Sequence, residues 1–420
     1  MEQQKVKNRW LIALAGVAIH LAIGSAYAWS VFTLPINELT GWTTAQISFA
    51  FSLAIFFLGT SAAFMGHFVE KQGPRRSGIV AAILFGIGVA CTGFAVKFES
   101  LPLLYLTYGV IGGAGLGTGY VTPVSTMIRW FPDRRGLATG MAIMGFGFAA
   151  LITGPIAQRL IGAVGVSNTF FILGISYFIV MFVASLYLEK PPAGWKPEGF
   201  DETAQAKERK NGITRDLSQL TANEAIKTRR FWIMWLMLFI NITCGIALVS
   251  VASPMAQEIT GMSAVAAATM VGVMGFFNGG GRFAWATLSD YIGRPNVYTL
   301  FFVINVIAFI VLYFTKAPLL FMILIYIIMT VYGGGFATIP AYIGDMFGTK
   351  EVGAIHGYIL TAWAMAGLAG PLILSFIYDA TGKYSGTLFL FTIFCVIALI
   401  LSLVIRIDIK RLQKQQESAK

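Results

Sequence analysis

The chain has 420 residues, 57% of them hydrophobic and only 12% charged. An ordinary globular chain is roughly 25% charged, so a soluble fold could not bury this much apolar surface. Disordered, coiled-coil and disulfide-scaffold readings are excluded too. The three cysteines, Cys91, Cys244 and Cys395, all lie in apolar runs, where buried thiols and no disulfide are expected.

Twelve apolar segments follow one another: 9–35, 44–68, 77–97, 101–130, 136–162, 167–188, 230–257, 262–289, 296–315, 318–346, 352–378 and 384–405. Roughly 20 residues cross a bilayer core as a helix. The runs do not alternate with period two, which excludes a membrane barrel. Gly and Pro interrupt many of them, as membrane helices tolerate. The predicted class is an all-α membrane protein of twelve transmembrane helices in two pseudo-symmetric six-helix bundles. The first segment is too long for a signal-peptide core, and Pro35-Ile36-Asn37 is a poor cleavage site, so it reads as a retained span.

With the N-terminus inside, 25 of the 30 Lys and Arg residues fall on the cytoplasmic side. Four, Lys97, Arg159, Lys316 and Lys383, fall on the other, and Arg282 lies inside a span. This bias predicts that both termini are cytoplasmic. It also accounts for the net charge of +11 through an anionic leaflet, without nucleic acid. One long polar stretch, the linker 189–229, holds Pro191-Pro192 and the charged run Glu208-Arg209-Lys210. It separates an N-terminal bundle, 1–188, from a C-terminal bundle, 230–405. A short amphipathic helix is expected near Leu217–Ile226, and 406–420 reads as a solvated cytoplasmic tail.

The halves carry matching landmarks. The second segment ends in Gly66-His67-Phe68-Val69-Glu70-Lys71-Gln72-Gly73-Pro74-Arg75-Arg76, the eighth in Ala286-Thr287-Leu288-Ser289-Asp290-Tyr291-Ile292-Gly293-Arg294. Glu70 and Asp290 are 220 residues apart, as are Gly73 and Gly293. Gly136 and Gly353 are 217 apart, and Gly154-Pro155 and Gly370-Pro371 are 216 apart. Duplicated halves with a site near the midplane are the architecture of many secondary transporters. The repeated motif is a small residue, three residues, an acid, two residues, Gly and a basic cluster. On it the chain resembles the major facilitator superfamily over residues 9–405, with Ala286 replacing Gly in the second copy. In that family the acid pairs with cations and helix ends to hold the inward side shut. The resemblance implies a gating role for Glu70, Arg75, Arg76, Asp290 and Arg294.

An ionised residue inside a span is a functional hypothesis by default. Arg282 has no acid at i±3 or i±4, where a same-helix partner would be. Asn278 lies one turn back on the same face. An Arg there costs roughly 2.5–3.5 kcal/mol on insertion scales. A guanidinium facing a cavity suits a carboxylate, because its fork engages both oxygens. Snorkelling, or an acid on another helix, is the alternative. Tyr27, Tyr120, Phe146, Tyr332 and Phe336 are candidates to wall the pocket, with lipid or packing contact the alternative for each.

Within the superfamily, the chain resembles the oxalate:formate antiporter branch, which is related to the monocarboxylate transporters. The stretches that carry this are Arg129-Trp130-Phe131-Pro132-Asp133-Arg134-Arg135-Gly136-Leu137-Ala138, Arg230-Phe231-Trp232, Asn278-Gly279-Gly280-Gly281-Arg282 and Tyr332-Gly333-Gly334. The resemblance implies that Arg282 binds substrate and that the five aromatics enclose it. Leu360 falls where the antiporter has Trp, and Trp363 where it has a second cation, a Lys. One Arg and a Trp wall suit one carboxylate on a short stem, such as lactate, pyruvate, propionate or acetate. The second charge of oxalate would lack a partner.

The expected function is therefore alternating-access transport of small monocarboxylates by proton symport. Organic-anion exchange is the runner-up, and a non-transporting carboxylate receptor is a third reading. Animal-type monocarboxylate transporters carry an Asp where Asn278 stands, so His20, His67, His356 and Asp345 remain as proton-coupling candidates. The sequence has no His/Cys/Asp/Glu cluster with metal-ligand spacing, no nucleotide loop and no paired midplane carboxylates. Neither an enzyme nor a cofactor or metal is expected. The expected setting is a bacterial inner membrane, with a monomeric protein whose partners are lipid, a small carboxylate and a proton.

Overall fold

The computed structural model describes residues 6–200 and 216–418, apart from the side chains of Ala264 and Ala268. The run Glu208-Arg209-Lys210 lies outside the described residues. Among those described, the chain is helical, with short connections and no strand. Nine of its helices are long and apolar enough to cross a membrane. Two of these, Thr44–Lys97 and Arg135–Tyr187, run 54 and 53 residues. Each is a pair of spans joined at one glycine, Gly73 at φ +80° and Gly165 at φ +81°. Glycine takes that φ without a Cβ penalty, and Pro74 presets the first turn of the helix that follows Gly73.

These nine give eleven spans, and Ala264–Ile292, which is not among the nine, is the twelfth long helix. The first is α1 (9–40), two helices joined by the 3-10 turn Ser25–Ala28. The first half continues with α2 (44–72), α3 (74–97), α4 (Leu101–Trp130), α5 (135–164) and α6 (166–187). The second half holds α7 (Arg229–Thr260), α8 (Ala264–Ile292), α9 (Arg294–Phe314), α10 (Pro318–Phe347), α11 (Val352–Thr381) and α12 (Ser385–Ser418). The last helix runs on past residue 405, so the tail is helical as far as Ser418.

The internal repeat is written into the backbone. Gly41 (φ +71°) and Gly261 (φ +70°) end α1 and α7, and Gly73 and Gly293 (φ +87°) end α2 and α8. Both pairs are 220 residues apart. Gly165 and Gly382 (φ +65°), which end α5 and α11, are 217 apart. Thr43 and Ser263, again 220 apart, cap the N-termini of α2 and α8 with their hydroxyls.

The described ends of the chain and the described part of the linker lie at one end of the bundle, here called the terminal side. Arg9 of α1 pairs with Asp133 at 2.7 Å, Arg229 of α7 pairs with Asp408 of α12 at 2.7 Å, and Gln416 reaches the Asp216 carbonyl at 2.8 Å. The linker is strapped across the end of α10. The Leu217 and Leu220 amides donate to the Asp345 and Phe347 carbonyls, each at 2.9 Å. Its helix is a single capped turn, Ala222–Ala225, shorter than the amphipathic helix expected there, because residues 217–220 are engaged as an extended strap.

The two halves meet along α2–α11 and α5–α8. Van der Waals packing, rather than hydrophobic transfer, drives helix association in lipid, so close backbone approach is what binds them. A Cβ added at Gly66 of α2 would stand 2.6 Å from the Gly353 carbonyl of α11. One added at Gly147 of α5 would stand 2.7 Å from the Gly279 Cα of α8. The outer faces carry exposed large apolar side chains such as Phe64, Val183, Phe376 and Phe389, a belt suited to lipid. Cys91, Cys244 and Cys395 are all free thiols, the last two fully inside the bundle.

Candidate transport site

Arg282 of α8 is fully buried. The small residues around it let two helices, α5 and α10, close on its stem. A Cβ at Gly147 would come within 3.2 Å of its Cδ, and one at Gly333 of α10 within 3.1 Å of its Cγ. Asn278, one turn earlier, accepts a hydrogen bond from Arg282 Nε at 3.0 Å. Nη1 reaches the Ile143 carbonyl of α5 at 3.5 Å. Nη2 has no partner among the described residues, and no acid among them pairs with this guanidinium.

Removing a cation from water without a counter-ion costs several kcal/mol. Part of that cost is offset by two aromatic faces, one from each half. The guanidinium carbon lies 5.4 Å from the Phe146 ring centroid and 5.0 Å from that of Phe336. A desolvated cation–π contact contributes about 2 kcal/mol. The rings hold Arg282 in place without neutralising it.

The remaining aromatics complete a cage. Trp363 of α11 lies 4.5 Å from Phe336, 5.7 Å from Phe146 and 5.5 Å from Tyr120, between ring centroids. Tyr27 is 5.0 Å from Phe146, and Tyr332 is 5.4 Å from Phe336. The Tyr27 hydroxyl stands beside Arg282 and Tyr332. The Tyr27 and Tyr120 hydroxyls and the Trp363 Nε1 are buried without a hydrogen-bond partner among the described residues. Donors therefore gather around one cation, as an anion requires. Leu360 is buried one turn before Trp363, and its carbonyl takes part in the α2–α11 contact, 2.7 Å from a Cβ built on Gly59.

Two histidines join the cage through Tyr120. His20 of α1 lies 5.1 Å from that ring, with Nδ1 at 3.1 Å from the Gly16 carbonyl. His356 of α11 lies 5.9 Å from it on the other side, more central than its place near the start of α11 suggests. Both are buried, and His20 Nε2 and both His356 nitrogens have no partner among the described residues. His67 packs on Tyr358 at 5.3 Å, away from the cage.

Asp345, a further proton-coupling candidate, lies apart from the cage. It sits at the terminal end of α10 between Arg135 at 3.1 Å and Arg294 at 3.2 Å. It is a counter-ion for two guanidiniums, outside the cage.

That terminal end is closed by two matching contacts. The Asp290 carboxylate of α8 accepts from the Gly136 and Leu137 amides at 2.9 Å, at the start of α5, and pairs with Arg294. The Glu70 carboxylate of α2 accepts from the Gly353 amide at 2.9 Å, at the start of α11, and from Arg129 at 2.6 Å. A carboxylate at a helix N-terminus satisfies orphan amides and opposes the macrodipole. Arg75 and Arg76 take no part. Arg75 donates to the Leu186 carbonyl at 2.9 and 2.6 Å, and Arg76 donates to Gln72 at 2.8 Å. The break at Gly73 carries both onto α3, away from Glu70. Besides Arg294, the cations engaged here are Arg129 and Arg135, the latter forked onto Asp216 of the linker at 2.6 and 3.2 Å. Both were present in the motif around Trp130, but nothing in their spacing paired them with Glu70 or Asp216.

The sequence model of the Major Facilitator Superfamily matches residues 14–340 and 281–420. The oxalate:formate antiporter of Oxalobacter formigenes is 29% identical over 369 residues, covering 86% of this chain and 83% of that protein. Monocarboxylate transporter 2 of Rattus norvegicus is 25% identical over 399 residues, covering 89% of this chain and 78% of that one. Among solved structures, the major facilitator transporter FucP in its outward conformation matches with a TM-score of 0.72. It covers 94% of this chain and 98% of that one at 16% identity, a likeness of fold. Family pattern, duplicated twelve-span fold and paired end contacts agree: this multi-pass membrane protein is a transporter, not an enzyme, and it belongs to the Major Facilitator Superfamily.

Proposed function

We propose that this chain moves small monocarboxylates of the lactate and pyruvate type across a bacterial inner membrane by alternating access, with Arg282 binding the carboxylate. The observation that carries this is Arg282 Nη2, buried among aromatic rings with no partner among the described residues. A carboxylate accepts from that nitrogen, and the Tyr27 and Tyr120 hydroxyls and the Trp363 Nε1 are further donors of the cage without partners among the described residues. Trp363 offers one N–H and no charge, so a second carboxylate would be desolvated without a cation. The names of two relatives, an oxalate:formate antiporter and a monocarboxylate transporter, support an organic anion as cargo.

The coupling we favour is proton symport, with His20 and His356 taking the proton, since they flank Tyr120 from the two halves. The terminal side faces the cytoplasm in this reading, and the transporter works as a monomer. Anion exchange is the second reading, favoured because the group beside Arg282 on its own helix is the non-titrating Asn278. The test is uptake of radiolabelled L-lactate into proteoliposomes free of internal organic anion. Accumulation driven by an inward proton gradient is the expected result. Uptake that needs a loaded counter-anion would establish exchange instead, and no uptake under either condition would overturn monocarboxylate transport.

A further inference from the structure

Two helices of the first half depart from α geometry, and their departures touch. In α1 the chain tightens to the 3-10 turn Ser25–Ala28, and in α4 it widens to the π-helix Tyr105–Gly112. Neither stretch contains proline. The matching stretches of the second half, 245–248 in α7 and 322–329 in α10, are regular α-helix, so the duplicated fold does not require either departure. Such stretches inside a longer helix are frequent at hinges and functional sites.

The 3-10 turn is fixed at both ends. Before it, Gly24 lies against the backbone of α5, where an added Cβ would stand 2.4 Å from the Phe146 carbonyl oxygen. After it, Trp29 donates from Nε1 to the Ile47 carbonyl of α2 at 3.2 Å. The same indole lies on the Tyr108 ring of the π-helix, 4.0 Å between centroids and 33° between planes. Both Trp29 and Tyr108 are buried. Between the two anchors stands Tyr27, whose hydroxyl is beside Arg282.

We infer that Trp29 is a positioning residue for the transported anion: through the Ser25–Ala28 turn it aims the Tyr27 hydroxyl at Arg282. The inference rests on the reading of Arg282 as the carboxylate site. A 3-10 turn winds about 120° per residue and an α-helix about 100°, so Tyr27, third in the turn, points about 60° away from where a continued α-helix would send it. The 3-10 form has the poorer hydrogen-bond geometry, so the tertiary contacts of Gly24 and Trp29 are what hold it. Released from Trp29, the turn relaxes towards α geometry and the hydroxyl leaves the guanidinium. Arg282 itself stays in place, because Asn278, Phe146 and Phe336 hold it from α8, α5 and α10. The anion then loses one donor while the cage persists.

The test places 3-fluorotyrosine at position 27 alone, in purified full-length protein in nanodiscs, and records its fluorine resonance. Trp29→Leu and Tyr108→Leu should each displace or broaden that resonance, and Tyr108→Phe, which keeps the ring, should not. Trp29→Phe, which loses only the bond to Ile47 and part of the stack, should displace it less, and it replaces Trp29→Leu if that variant does not fold. In proteoliposomes the Leu variants should raise KM for lactate about tenfold, as for loss of one hydrogen bond to a charged group, with kcat within about twofold of the wild type. The double variant Trp29→Leu/Tyr27→Phe should be no weaker than Tyr27→Phe alone, because both changes remove the same donor. A resonance that none of these variants moves would overturn the inference, as would single effects that multiply in the double variant. A displaced resonance in a protein that carries no lactate would support the positioning and remove the cargo reading instead.

Discussion

The Glu70 carboxylate of α2 meets the Gly353 amide of α11 at 2.9 Å, and the repeat reproduces this contact between Asp290 of α8 and Gly136 of α5, also at 2.9 Å. In each half, the acid that ends the second helix caps the fifth helix of the other half. The arrangement is reciprocal, so it closes one end of the transporter with two equivalent contacts. Both depend on backbone amides that exist only while α5 and α11 start where they do.

Asp290→Asn should weaken that closure. Asn has one acceptor oxygen and no charge for two amides and Arg294. A charge-assisted hydrogen bond contributes about 2 kcal/mol, worth about a 30-fold shift towards the open end. Pulsed-EPR distances across the terminal side, with and without the substitution, measure it. An unchanged distance distribution would mean that the carboxylate does not set the equilibrium.

Arg282→Ala should abolish uptake while the protein still inserts and folds. Arg282→Lys should retain a charge but lose the planar fork and the stacking on Phe146 and Phe336. We expect at least a tenfold loss of lactate affinity in the Lys variant, read by isothermal titration. Wild-type affinity in Arg282→Ala would remove this residue from the site.

Trp363→Lys should weaken lactate transport and admit a dicarboxylate. The substitution places a second cation beside the cage, 4.5 to 5.7 Å from ring centroids that surround Arg282. Competition of labelled lactate uptake by oxalate measures the change. Unaltered selectivity would show that Trp363 packs behind the pocket and does not line it.

Two glycines separate packing from site geometry. Gly147→Ala puts a methyl 2.7 Å from the Gly279 Cα and 3.2 Å from Arg282 Cδ, so either α5 and α8 part or the guanidinium moves. Transport should fall tenfold or more with the fold retained. Gly280→Ala meets nothing within 4 Å and replaces a poor helix former, so it should leave transport intact and raise stability by up to about 1 kcal/mol. Uptake assays and thermal unfolding of the two variants side by side decide this.

Features that follow chain periodicity were legible from sequence. Arg282 and Asn278 stand one turn apart, and their contact at 3.0 Å follows from that spacing. The twelve spans follow from run length, and the 220-residue offset returns as paired positive-φ glycines. Features that depend on packing were not legible. Arg75 and Arg76 are next to Glu70 in sequence, yet the Gly73 turn removes them, and Arg129, 59 residues on, takes their place. The pairing of Asp345 with Arg135 and Arg294, which arrive from two other helices, has no local signature. The central placing of His356 depends on how α11 leans across α4, which no local pattern encodes.

Because no acid among the described residues pairs with Arg282, the charge at the centre of the protein depends on what it carries. With one carboxylate bound the centre is neutral, and with a carboxylate and a proton it is again +1, as when empty. An exchanger built on this site moves only neutral forms across the membrane. A symporter moves only forms of charge +1. A potential of 100 mV acts on one charge with about 2.3 kcal/mol. Turnover of the symporter is therefore sensitive to voltage in both directions of its cycle although each complete cycle is electrically silent, whereas turnover of the exchanger ignores voltage altogether.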